Sequence, residues 1–272
     1  MGSDDQIFRE GAIETAASPD QLNAIAPLVT LELVIATVQQ AWGDPSRDMI
    51  GDSQLAWLQQ QMAASTASWQ VLGQQVLMQS MAVPAELLLN AGDPSLLDKY
   101  AGPLQKLATG TAFADLTAAE QALFAEAGKI PYNLDAWDGY GVERETILQS
   151  ALALGKKLIS LAGDPHNAWA GVLDTMSAGA GPAGTVAGVE FATPGVTSPG
   201  LEKYLPGADA YIRANYPAVD GLDGLFLGYV NGLRYADLNR RGFLDLTVSK
   251  EQAVGTFVFL DGVDAYSGSP QW

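Results

Sequence analysis

Apolar and polar positions along the chain fall into short periodic blocks separated by Gly- and Pro-bearing turns. Ser18-Pro-Asp-Gln21 has the make-up of a capping-box helix start, and Pro27 keeps that helix short. Leu28 to Val38 is dense in Val, Thr, Ile and Leu and reads as a buried strand. Leu55, Leu58, Met62 and Trp69 share one face of a helix opening after Asp52 or Ser53, and Gln70 to Met78 reads as the next strand. Thr117-Ala-Ala-Glu120 is a second capping box, whose helix should stop at Gly128. A helix over Val142–Leu154 turns Ile147, Leu148, Ala151 and Leu152 inward and ends at Gly155. Strands follow at Lys157–Ala162 and Val189–Thr193, and Gly242–Val248 with Ala253–Leu260 form a terminal hairpin. Helices and strands alternate, so the predicted class is α/β.

Composition narrows the chemistry. The 272 residues carry a net charge of −17, no cysteine and one histidine, His166. Disulfides, thiolate metal sites, Cys nucleophiles and paired-histidine zinc motifs are thereby excluded. The acidity argues against nucleic-acid binding through basic patches and reads as a soluble surface. No stretch has the length of a membrane span, and Met1-Gly-Ser-Asp-Asp-Gln has neither the basic nor the apolar region of a signal peptide.

Gly-Asp-Pro recurs at 43–45, 92–94 and 163–165 in unrelated surroundings, which is turn chemistry rather than a repeat. The third copy, Gly163-Asp-Pro-His-Asn167, follows a buried strand. In extended backbone Asp164 and His166 point the same way, and a carboxylate beside an imidazole at a strand end suits a metal ion. The same residues also read as a surface Asx–Pro turn with His166 packed beside Trp169. In Leu134–Tyr140, Asp138 and Tyr140 could face a substrate, or the segment could be a helix-start turn with Asp135 or Asp138 bonding local backbone. Arg240-Arg241 could grip a phosphate or sit on a solvated strand edge. No Gly-x-Ser-x-Gly elbow, phosphate loop or dinucleotide motif is present.

In order, Asp44–Leu58, Ala67–Met78, Pro131–Tyr140, Ala162–Trp169, Gly188–Leu201 and Asn239–Val248 resemble the C-terminal half of the alkaline phosphatase D-like (PhoD-type) metallophosphatase family. The resemblance divides the chain into an N-terminal segment, 1–43, and a C-terminal part of such a domain, 44–272. It implies a metallophosphoesterase-like two-sheet sandwich flanked by helices and incomplete at its N-terminal side. It implies hydrolysis of phosphate mono- or diesters at a multinuclear centre of divalent or trivalent ions, Ca and Fe as in the family. Asp164 and His166 carry over as metal ligands and Asn167 as the neighbouring catalytic polar group. The family more often has Thr, Val or Ile where Pro165 stands. Its earlier motifs (an Asp with a nearby Cys or His, Gly-Asp-Tyr, Trp-Asp-Asp-His) are not found here, so the site is partial. The expectation is a weak or inactive hydrolase as this chain alone, with a phosphate-ester small molecule as partner if active. The alternative is a degenerate, non-catalytic homologue acting as a binding or interaction protein; a metal-independent hydrolase of another class is a third reading. Half of a two-sheet core would leave strand faces and edges open to self-association. Relatives of this kind are often exported to the periplasm or beyond.

Overall fold

The computed structural model describes residues 30–262 apart from Ala91 and Pro206, so the Ser18–Gln21 capping box lies outside the described residues. Helix α1 (Leu31–Trp42) replaces the strand expected over 28–38. Thr30 accepts a hydrogen bond from the Leu33 N–H at 3.3 Å and Glu32 lies in the first turn. This N-terminal signal overrides the β-branched propensity. Helix α2 (Gly51–Ala64) matches its periodicity but ends before Trp69, which instead donates its indole N–H to Ser249 O at 2.8 Å.

Strand β1 (Gln70–Gly73) leaves the sheet before Met78. The reason is a buried carboxylate: Glu190 accepts the N–H groups of Met78 and Gln79, both at 2.8 Å, so these donors serve a side chain rather than a ladder. Strand β2 (Ala82–Pro84), helix α3 (Ala85–Leu89), helix α4 (Pro94–Ala108), helix α5 (Ala118–Ala122) and strand β3 (Lys129–Pro131) follow. The capping box at Thr117–Glu120 forms in both directions, but α5 stops at Ala122 rather than Gly128. Helix α6 (Gly141–Ala153) buries Ile147, Leu148 and Ala151 completely, as its spacing predicts. Full burial of each large aliphatic chain contributes about 1.5–3 kcal/mol.

Strands β4 (Leu158–Ala162), β5 (Ala168–Asp174) and β6 (Val186–Ala192), then helices α7 (Ala208–Asn215) and α8 (Gly221–Tyr229), lead to strand β7 (Leu233–Asp237). A five-stranded sheet runs β1-β4-β6-β5-β7, parallel over its first three strands and antiparallel beyond. Strands β8 (Gly242–Val248) and β9 (Ala253–Phe259) pair as the expected hairpin.

One face of the five-stranded sheet carries Leu158, Trp169 and Leu173 into the core shared with α4, α6 and α8. The hairpin covers part of the other face. Tyr235 stacks on Phe257 with centroids 5.0 Å apart, and a Cβ at Gly255 would stand 2.7 Å from the Phe191 ring. The result is an α/β sandwich of a large and a small sheet with helices on the opposite side. The smaller sheet leaves Val71 on β1 exposed, and the hairpin's own outer face exposes Phe243, Val254 and Val258.

Candidate metal-ligand turn at the end of β4

The three Gly-Asp-Pro turns are not equivalent. Asp44 Oδ1 accepts the Ser46 N–H at 2.9 Å and its hydroxyl at 2.7 Å, and Asp93 treats Ser95 the same way, both at 2.8 Å. These are self-satisfied Asx turns, and Asp93 also caps α4 with Pro94 at the first helical position. At the third copy His166 stands in place of the serine, and its N–H turns back to Gly163 O at 3.5 Å. Among the described residues nothing donates to the Asp164 carboxylate, which is exposed.

The turn is fastened from below. Gln75 O accepts the N–H groups of Gly163 (3.0 Å) and Asp164 (2.9 Å), and Gly195 donates to His166 O at 3.0 Å. His166 adopts φ 58, a left-handed conformation that costs a non-glycine residue about 1–2 kcal/mol. The extended backbone expected between Asp164 and His166 is therefore replaced by a tight turn. Its cause is the run of carbonyl and amide contacts that pins both flanks. His166 Nδ1 lies 3.0 Å from Pro199 O, an acceptor only, so in the neutral ring Nδ1 carries the proton and Nε2 keeps its lone pair. A carbonyl behind one ring nitrogen is the usual support of a metal-binding imidazole.

Asn167 is 1% exposed and bridges two further segments. Its Oδ1 accepts the Leu201 N–H at 3.0 Å and its Nδ2 donates to Leu238 O at 2.8 Å. Both ends of the amide are thus occupied by main chain, which makes Asn167 a positioning group. Asp138 is 2% exposed, accepts the Met81 N–H at 2.7 Å and leaves Oδ1 without a partner among the described residues. Burial raises its pKa, opposed by the charge of Arg144. Tyr140 is half-buried with the Arg47 guanidinium 5.2 Å from its ring centroid. The loop 74–81 connects these groups: its Gln75 end holds the Asp164 turn and its Met81 end holds Asp138. Arg240 and Arg241 are each engaged by a carboxylate, Asp237 and Glu202 respectively.

Three neighbours of the turn escaped the sequence reading. Gln75 acts through its carbonyl, which any residue could supply. Tyr132 comes from 32 positions before Asp164; burial pushes its phenol up to about 12 and the Asp164 charge adds to the shift. Glu202, paired with buried Arg241, lies against Gly200, where a Cβ would stand 2.6 Å from Glu202 Oε2 and 2.2 Å from Asn167 Nδ2.

Asp164 and His166 are of the donor types that suit a metal ion, with no donor on the Asp164 carboxylate among the described residues and a carbonyl behind His166 Nδ1. The described residues form no group of three or more His, Cys, Asp or Glu able to hold a metal ion, so the turn alone is not a complete site. No helix among the described residues is long and apolar enough to cross a membrane.

No curated protein matches the chain. A solved structure entitled "Structure of PhoD" aligns at 18% identity over 78% of this chain with a TM-score of 0.43, and the chain spans 33% of that protein's length. A family model described as PhoD-like phosphatase matches residues 16–257, nearly the whole sequence, and by that extent the chain belongs to the PhoD-like phosphatase family.

Proposed function

We propose that the chain is the part of a metal-dependent phosphoric ester hydrolase that contributes Asp164 and His166 to the metal shell and has weak or no turnover alone. The observation that carries this reading is the unspent Asp164 carboxylate beside an imidazole whose Nδ1 is committed to Pro199 O. Asp164 would present a hard oxygen and His166 its Nε2. Asn167 and the Gln75 carbonyl would hold both in register, and Tyr132 would wall the turn on its core side. When bound, divalent or trivalent ions such as Ca²⁺ and Fe³⁺ supply Lewis acidity and an activated water for attack at phosphorus. Asp138 and Tyr140 are assigned to the substrate side, Asp138 through the loop 74–81 rather than by open exposure.

Family membership supports a phosphomono- or diester as the ligand. The incomplete donor set supports a second reading, a non-catalytic homologue that binds rather than cleaves. The exposed apolar residues on β1 and the hairpin support self-association as the accompanying behaviour.

Two measurements separate these readings. Calorimetry with Ca²⁺ and with Fe³⁺ should give weak binding that Asp164→Ala and His166→Ala abolish. Assays with 4-nitrophenyl phosphate and its bis-ester, metals supplied, should give slow turnover lost in the same variants. Metal binding without turnover would favour the binding-protein reading. Binding unaffected by either substitution would remove the turn from the metal shell.

A further inference from the structure

A cavity of about 120 Å³ lies on the helical side of the sheet, beside the turn just described, and no charged side chain lines it. Leu97 and Leu225 are buried at its base, whereas Tyr204, 72% exposed, and half-buried Leu201 stand at its mouth. One hydrogen bond ties it to the turn. The Leu201 N–H is held by Asn167 Oδ1, so the residue that follows His166 also sets one lip of the cavity. Tyr132 forms part of the wall and packs edge-on against Phe226 with centroids 5.9 Å apart. The volume is close to that of an apolar cavity of about 150 Å³ that takes a benzene-sized guest. The size suits one aromatic ring or a short alkyl group.

We propose that this cavity receives the hydrocarbon end, a single ring or short alkyl group, of the phosphoester whose polar end faces Asp164 and His166. The polar half of the assignment rests on the hydrolase reading; the apolar half rests on the cavity itself. The proposal selects aryl and short-alkyl phosphoesters over esters of sugars or glycerol, whose hydroxyls would lose their hydrogen bonds in such a wall.

Ligand-observed NMR on the full chain tests this with toluene as the probe. Toluene should bind with a Kd on the order of 1 mM, as expected for a seven-atom apolar ligand. Leu225→Phe, which fills the base, should weaken binding about tenfold or more, and Leu88→Phe at the half-buried rim serves if that variant folds poorly. Asp164→Asn should leave toluene binding intact. Phenyl phosphate should displace toluene, and inorganic phosphate should not. No binding to the wild-type chain, binding that survives both filling variants, or no displacement by phenyl phosphate would each overturn the proposal. Displacement by phenyl phosphate without metal-dependent turnover would uphold the cavity assignment and reject hydrolysis instead.

Discussion

The Asn167 carboxamide oxygen holds the Leu201 backbone N–H at 3.0 Å, joining the candidate ligand turn to the lip of the apolar cavity. Because Nδ2 simultaneously donates to Leu238 O, removing this side chain strands one main-chain donor and one acceptor. Asn167→Ala should cost about 2–4 kcal/mol. Gly200→Ala should also destabilise, since its Cβ would stand 2.2 Å from Asn167 Nδ2. The two effects should couple, with Gly200→Ala milder by about 0.5–2 kcal/mol in the Asn167→Ala background. Urea denaturation of the four-protein cycle measures this; strict additivity would show that the amide does not bear on position 200.

Glu190 is 1% exposed and gathers the Met78 and Gln79 N–H groups and the Ser160 hydroxyl around one carboxylate. Burial raises its pKa against these donors. Glu190→Gln brings an amide N–H₂ to a pocket made of donors, so at least one contact becomes repulsive. The expected loss is about 2–4 kcal/mol. Hydrogen exchange should rise first at Met78 and Gln79, and unchanged protection there would contradict the assigned role.

Glu143 reaches across the chain to cap α2. Its Oε2 accepts the Met49 N–H at 2.5 Å and the Ile50 N–H at 3.2 Å, while Ile50, the capping residue, has no side-chain acceptor of its own. Glu143→Ala should destabilise by about 1–2 kcal/mol and increase exchange across residues 49–55, whereas Glu143→Gln should retain most of the cap. Equal effects of the two substitutions would point to lost packing rather than lost capping.

Asp223 supplies a pH dependence. Burial, reinforced by Asp237 and Asp209 and opposed by the Leu238 N–H and Arg213, pushes its pKa up to about 6 from an ordinary 3.8. Between those values the folded chain retains a proton that the unfolded chain has lost. Its contribution to stability is therefore present at low pH, falls as pH rises through about 6, and is constant above. Allowing for solvent screening, the change is about 1 kcal/mol. Asp223→Asn should flatten this part of the profile, and melting curves of both proteins from pH 4 to 7 will show whether the gap between them moves.

Periodicity was a sound guide where one face is buried and a glycine marks the end, as in α6, β4 and the terminal hairpin. It misled where a single side chain redirects the backbone. Thr30 starts a helix through a β-branched run, and Glu190 takes the Met78 and Gln79 N–H groups away from any ladder although it lies more than a hundred positions away. Strands β5 and β7 went unseen because each owes its pairing to a neighbour distant in sequence, not to its own alternation. The tripeptide Gly-Asp-Pro hid the distinction that matters: only the next residue, Ser46 or Ser95 against His166, decides whether the aspartate is spent locally.

The strand order has a consequence for how the chain acquires its shape. Gln70 pairs with Leu158 and Leu158 with Gly188, so no strand of the main sheet finds its neighbour until most of the polypeptide exists. Such long loop closures slow folding. On the ribosome, β1 would emerge with α4 and α6 still unmade and remain unpaired until β4 follows it.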